Sequence, residues 1–299
     1  MKLRSVLGLF DGMSCGQIAL QRAGIEYETY YASEIDEPAM EIAQKNYPET
    51  IQVGDITKLS AKDLPEDIDL MIGGSPCQGF SMIGKKLNFD DERSKLFFDF
   101  VRLLKEIKPK YWMLENVRMA KAVEEEISKL LGCEPIKIDS ALVSGQKRFR
   151  LYWTNIPNVG QPADKGITGK SLLDDPRYEI ATTRKPSGGK PRQIVRTASD
   201  KFNCITASYS KGVNGDGRPA KVLPHNFGDY HKDKIEALSP VEAERLQTLP
   251  ENYTEGVSKY ERYKMIGNGW TVEDGVLKKI SPSGAVAAQT SAFLCVFAF

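Results

Sequence analysis

The 299-residue chain contains no Cys-x-x-Cys pair, and its five cysteines (15, 77, 133, 204 and 295) are odd in number and widely scattered. That pattern excludes a disulfide framework and a zinc site, and it suits a reducing compartment such as the cytoplasm. No apolar run approaches the length needed to span a bilayer. The apolar start, Ser5 to Phe10, is too short for a signal-peptide core and is broken by Asp11 and Gly12. Neither sign of charge is in excess: 41 Lys and Arg face 40 Asp and Glu, a net charge of +1. Charge therefore does not announce a nucleic-acid partner, although a neutral total can hold a basic face. Internal repeats and low-complexity tracts are absent. So is a Gly-x-Gly-x-x-Gly string, which weakens the case for a dinucleotide cofactor.

What is present is a regular alternation. Up to about residue 155, short apolar runs alternate with helical patterns. Strands are predicted at Ser5 to Phe10, Tyr27 to Ser33, Ile51 to Val53, Asp69 to Ile72, Tyr111 to Leu114, Pro135 to Asp139 and Arg150 to Asn155. The intervening helices are Gly16 to Ala23, Pro38 to Asn46, Arg93 to Ile107 and Ala122 to Leu131. This order predicts an α/β fold with a doubly wound, mostly parallel sheet. From Pro157 to Pro240 the chain turns rich in Gly, Pro, Lys and Ser, either a small irregular domain or a set of long loops. Basic residues there (Arg177, Lys201, Arg218 and Lys221 among them) are interleaved with Tyr178, Phe202, Tyr209, Phe227 and Tyr230. Such a mixture suits phosphate contact and base stacking, and equally suits solvated loops. The expected organisation is a catalytic domain over 1–156, a recognition region over 157–240, a return to the catalytic domain over 241–273, and a tail over 274–299.

Chemistry-bearing residues gather where predicted strands end. Gly74-Ser75-Pro76-Cys77-Gln78-Gly79 follows the run Asp69 to Ile72. Proline fixes the backbone ahead of Cys77 and the glycines admit close approach, a setting for a nucleophilic thiolate; an isolated Pro-Cys would more often be structural. The first strand runs into Phe10-Asp11-Gly12-Met13-Ser14-Cys15-Gly16, a loop that allows close approach of a nucleotide-like cofactor. The second ends in Glu34-Ile35, where a carboxylate can accept from both ribose hydroxyls, and the third is followed by Asp55-Ile56, where Asp55 can take an adenine amino group. Each acid taken singly is also a good helix cap or surface charge. Glu115-Asn116-Val117 puts a partly desolvated carboxyl on the rim that carries Cys77. In Gln146-Lys147-Arg148-Phe149-Arg150 the two arginines alternate along a strand, so both point one way, to grip an anion or a carbonyl or to face solvent.

Together these segments resemble the cytosine-5 DNA methyltransferases. The resemblance runs from residue 5 to 273 and adds Arg245-Leu246-Gln247-Thr248-Leu249-Pro250 and Gly267-Asn268-Gly269-Trp270-Thr271-Val272 to the stretches above. It implies an AdoMet-dependent, Rossmann-like fold with a target-recognition domain at 157–240, and no metal. It implies that Cys77 adds to carbon 6 of a flipped-out cytosine and makes carbon 5 nucleophilic. Glu115 then binds or protonates nitrogen 3, Arg148 holds the carbonyl oxygen, and Arg150 completes the catalytic set. Phe10, Asp11, Gly12, Met13, Ser14, Cys15, Glu34, Ile35, Asp55, Ile56, Pro76, Leu96, Asn268, Gly269 and Trp270 are implied to surround the cofactor. The implied partner is double-stranded DNA, met by a monomer and without a membrane. Three alternatives are separable. A transfer-RNA methyltransferase carries a Cys-Phe-Thr signature, which Phe202-Asn203-Cys204-Ile205-Thr206 is not. An inactive DNA-binding relative would lack the cysteine or the Glu-Asn-Val, and an NAD-dependent dehydrogenase would have another first loop. After Val272 the pattern departs from the family, ending in Phe293 to Phe299.

Overall fold

The computed structural model describes residues 2–76, 92–184, 193–196, 199–212, 218–224, 234–269, 271–272 and 297–298. Residues cluster into two compact units, one of 1–138, 149–162 and 272–299, the other of 139–148 and 163–271.

The first unit is built on a seven-stranded sheet in the order β3-β2-β1-β4-β5-β7-β6. Its strands are β1 (Lys2–Leu9), β2 (Glu26–Ser33), β3 (Ile51–Gln52), β4 (Ile68–Gly74), β5 (Tyr111–Val117), β6 (Ile136–Asp139) and β7 (Phe149–Thr154). Pairings among β1 to β5 are parallel, and β7 runs antiparallel to β5. The chain winds outward from β1 to β3 and then crosses to β4, so the switch point lies between β1 and β4, where doubly wound sheets bind ligands. Helices α1 (Cys15–Arg22), α2 (Glu37–Asn46), α3 (Glu92–Ile107) and α4 (Lys121–Leu131) provide the crossovers. The middle strands read as nearly continuous apolar runs because both faces are covered. Leu7, Leu9, Met71, Leu114 and Trp153 of the sheet join Phe97, Phe100 and Leu103 of α3 and Ile127 of α4 in one core cluster. Burying each such side chain contributes roughly 1.5–3 kcal/mol.

The second unit departs from the irregular character expected of 157–240. It holds a four-stranded sheet, β11-β10-β8-β9, from β8 (Glu179–Arg184), β9 (Gln193–Arg196), β10 (Pro219–Leu223) and β11 (Lys234–Glu236). Its strands are only three to six residues long, so their alternation is hard to read from composition. The helices α5 (Pro240–Leu246) and α6 (Lys259–Asn268) cluster with this unit. A capping box between Ser239 and Glu242 starts α5. The pattern of α6 is weak, since it carries Lys259, Arg262 and Lys264 and buries only Tyr263, Met265, Ile266 and Gly267.

Short β12 (Thr271–Val272) pairs with β13 (Phe297–Ala298), and Arg22 donates to the Val272 carbonyl at 2.8 Å. Most of the 274–299 tail lies outside the described residues. Among the described residues no helix is long and apolar enough to cross a membrane.

Candidate active site

The loop after β1 is held by a buried polar network. Phe10, Gly12 and Ser14 adopt positive φ of 55°, 58° and 65°, conformations that need local support when the residue is not glycine. Asp11 supplies it. Its Oδ1 accepts from the Tyr30 hydroxyl at 2.5 Å and its Oδ2 from the Ser14 hydroxyl at 2.6 Å. The Gln17 amide donates to Ser14 Oγ and Thr50 Oγ1, and the Tyr27 hydroxyl donates to Gln17. Glycine at position 8 is required by this packing: an added Cβ would lie 2.3 Å from Asp11 Oδ1 and 2.4 Å from the Tyr30 oxygen. Burial outweighs the two hydroxyl donors and, with the nearby charge of Glu34, pushes the Asp11 carboxyl up to about 7. The Tyr30 phenol is pushed well above its usual range by burial and by Asp11, and it stays a donor.

Beyond β2, Glu34 closes the loop. Its Oε2 accepts from the Gly12 amide at 2.8 Å, and its Oε1 from the Ile35 and Asp36 amides at 2.7 and 2.9 Å. Beside it Ile35 is 71% exposed, unusual for a large apolar side chain. Beyond β3, Asp55 accepts from the Thr57 amide at 2.9 Å, and that bond holds its carboxyl below the usual range. Ile56 packs into the core instead of lining a cleft. The side chains of Met13 and Cys15 are likewise buried, which leaves the loop backbone as the surface for a ligand. Phe10 and Leu96 are partly buried against the core cluster.

On the other side of the switch point, β5 runs past Leu114 to Val117, so Glu115 lies within the strand, in register with Gly74 on β4 and Tyr152 on β7. Arg150 faces Val117, a diagonal neighbour of Glu115. Its Nε lies 2.8 Å from Glu115 Oε1, with side chains only 11% and 8% exposed. Asn116 has a role that its motif did not reveal. Its amide donates to the Ser75 carbonyl at 3.2 Å and to Ser75 Oγ at 3.0 Å, while its own oxygen receives the Val117 amide. It thereby anchors the segment that leads through half-buried Pro76 to Cys77. Cys77 itself, and Trp270, lie outside the described residues.

Arg148 has other partners. It is 2% exposed and belongs to the second unit, where its guanidinium donates to the carbonyls of Ile205, Gly267 and Gly269. The expected shared grip of two arginines is thus replaced by two different engagements, because β7 begins only at Phe149. Asn268 is exposed at the end of α6, and Gly269 is buried. Several residues matched to nucleic acid by composition prove structural. Tyr178, Phe202 and Tyr209 are buried, Lys221 forms a buried pair with Glu242 at 2.9 Å, and Lys201 binds the carbonyls of Ser144 and Ile167. Arg177 pairs with Asp175. Phe227 and Tyr230 lie outside the described residues.

A doubly wound sheet with acidic side chains at successive strand ends, and a buried Glu115–Arg150 pair on the strands beyond the switch point, is the architecture of the Rossmann-like methyltransferase fold. The family model for C-5 cytosine-specific DNA methylase matches residues 5–130 and 151–281. Type II methyltransferase M1.ScrFI of Lactococcus lactis subsp. cremoris is 30% identical over 304 residues, covering 89% of this chain and 75% of that protein. Orphan methyltransferase M.Rho11sI of Bacillus phage rho11s is 44% identical over 119 residues, 39% of this chain and 23% of the phage protein. Among solved structures, the Entamoeba histolytica methyltransferase EhMeth superposes with a TM-score of 0.72 at 22% identity, over 90% of this chain and 94% of that one, a likeness of fold. The chain belongs to the C-5 cytosine-specific DNA methylases and is an enzyme of that class.

Proposed function

We propose that this protein methylates carbon 5 of cytosine in double-stranded DNA, acting as a monomer in the cytoplasm of a bacterial or phage-infected cell, through a transient covalent bond from Cys77. The observation that carries the assignment of residues is the buried Glu115–Arg150 pair, with Glu115 in register with Gly74, three residues before Cys77 in the sequence.

The strand-end groups suit AdoMet. Glu34 offers acceptor oxygens, Ile35 an exposed apolar face, and an added Cβ at Gly12 would meet nothing within 4 Å. Glu34, Ile35, Asp55 and the backbone of Phe10 to Cys15 would hold it, with Pro76, Asn268, Gly269 and Trp270 completing the set by resemblance. When bound, the cofactor supplies an electrophilic methyl group on a sulfonium sulfur.

The protein's own residues do the rest. The Cys77 thiolate adds to carbon 6, which moves electron density to carbon 5. Glu115, entering as the carboxylic acid, gives its proton to nitrogen 3 as the adduct forms and accepts from the exocyclic amine, so the negative charge ends on its carboxylate beside Arg150. Arg150 holds the Glu115 carboxyl group in place, its Nε 2.8 Å from Oε1. After carbon 5 is methylated, its proton passes to solvent water, the C5–C6 double bond re-forms as the C6–S bond breaks to release the Cys77 thiolate, and nitrogen 3 returns its proton to Glu115. None of these atoms is reachable inside a duplex, so the target base must leave the stack.

Bisulfite sequencing of both DNA and transfer RNA from cells expressing the wild type or Cys77→Ser tests this reading. Protected cytosines in a fixed context should appear with the wild type and vanish with the variant. Protection only in transfer RNA would overturn the substrate, and full protection by Cys77→Ser would overturn the covalent scheme.

A further inference from the structure

Three stretches that the sequence presents as separate motifs form one hydrogen-bonded knot inside the second unit. Gln146 donates to the Leu246 carbonyl at 2.8 Å and to Gln247 Oε1 at 3.0 Å, and it accepts from the Ile205 amide at 3.0 Å. Gln247 donates to the carbonyls of Ile266 at 2.7 Å and Gly269 at 3.2 Å, and the Thr271 hydroxyl returns to it at 2.8 Å. Arg148 stands at the centre: one terminal nitrogen reaches the Ile205 carbonyl at 2.7 Å, the other the carbonyls of Gly269 at 2.8 Å and Gly267 at 3.2 Å. The packing at this junction has no slack. A Cβ on Gly267 would fall 2.1 to 2.4 Å from the backbone of Thr206 and Ala207. Gln146, Arg148 and Gln247 are each 2% exposed or less.

We infer that Arg148 is a positioning residue, which with Gln146 and Gln247 sets the backbone of Gly267-Asn268-Gly269 and so governs cofactor affinity, not the chemistry at cytosine. The inference rests on the reading that Asn268 and Gly269 face AdoMet. The physical argument is one of geometry. A buried guanidinium must have its donors satisfied. Here they converge on carbonyls from two segments, and a planar fork can hold both at once. A lysine ammonium cannot reproduce that span. The carbonyls at the end of α6 lack helical partners, and side-chain donors replace them. Holding them fixes the direction in which Asn268, exposed at this end, is presented.

The test compares Arg148→Lys with Arg150→Lys in the full chain. Arg148→Lys should raise the AdoMet Kd, measured calorimetrically without DNA, by about tenfold, the effect of losing one or two hydrogen bonds to a charged donor. In cofactor-free protein it should speed hydrogen exchange of the Gly269 amide, which is bonded to the Met265 carbonyl at 2.7 Å. Its single-turnover rate at saturating AdoMet should stay within about twofold of wild type. Arg150→Lys should show the reverse, an unchanged Kd and a reduced rate. An Arg148→Lys enzyme with unchanged Kd and a rate as low as that of Arg150→Lys would make Arg148 catalytic and overturn the inference. A change confined to melting temperature would overturn it too. If Arg148→Lys does not fold, Gln247→Met removes the donors to Ile266 and Gly269 and should move Kd in the same direction; an unchanged Kd there counts against the knot. Asn268→Ala separates the two readings. Unchanged AdoMet binding in that variant removes the segment from the cofactor site, whereas weakened binding there with intact binding in Arg148→Lys defeats the inference alone.

Discussion

Asp11 ties the loop after β1 to a measurable dependence on pH. Its carboxyl titrates near 7 in the folded chain against an ordinary value of 3.8, chiefly because it is buried. A group whose folded pKa is raised binds more protons folded than unfolded across that interval, so stability must fall as pH rises from about 4 to 7. The penalty is complete above about 7 and absent below about 4. A difference of about three pKa units corresponds to roughly 4 kcal/mol, a large part of the net stability of a domain. The Ser14 and Tyr30 hydroxyls reduce the penalty, and the charge of Glu34 adds to it. Asp11→Asn keeps the shape and an acceptor for Tyr30 but cannot ionise. Urea unfolding of both proteins from pH 5 to 8.5 isolates the effect, because every other titration cancels in the difference. The variant should gain on the wild type by about 1.4 kcal/mol per pH unit at most, levelling off above pH 7. A difference curve flat across the range, or one favouring the wild type as pH rises, would refute the burial argument. The carboxyl resonance of Asp11 should titrate near the same pH and checks the value independently.

Further consequences can be checked at single residues. Glu34→Gln should weaken AdoMet binding by about 1.5–3 kcal/mol per charged hydrogen bond lost, and, because Glu34 also receives the Gly12 amide, faster exchange at Gly12 should accompany it; unchanged calorimetric affinity would make Glu34 a loop clamp only. Arg150→Met strands the Glu115 charge in a buried place and should cost about 3–5 kcal/mol in denaturant unfolding, a cost that Glu115→Gln in the same chain should largely relieve. Gly8→Ala forces a methyl group into the Asp11–Tyr30 contact, so its melting temperature and AdoMet affinity should fall together; a crystal structure with that hydrogen bond intact would show that the loop can yield.

Much of this protein was legible from residue order alone. The doubly wound sheet follows from apolar runs alternating with helical periods, and α3 was evident from Leu96, Phe97, Phe100, Val101, Leu103 and Leu104. The family was legible because its motifs stand in short contiguous strings: Ser75-Pro76-Cys77, Glu115-Asn116-Val117 and the loop from Phe10 to Gly16. Local composition could not say what each polar side chain would meet. Arg148 and Arg150 are equivalent in a strand pattern. They part because a strand boundary and long-range carbonyls lie between them, and Arg148 is held by residues 57 to 121 positions away. Tyr178, Phe202 and Tyr209 look like stacking rings in a basic loop, yet they are buried: Tyr209 packs edge-on against Tyr263 of α6, and Phe202 pairs with Gln146 and lies against Gly169. Asn116, Tyr30 and Gln17 carry no signal of their own, since a hydrogen bond across 41, 19 or 33 positions exists only once the sheet has brought its ends together. Side-chain type and periodicity determined the elements and the reagents; the partner of each buried polar group was decided by folding, which must satisfy every donor and acceptor it removes from water.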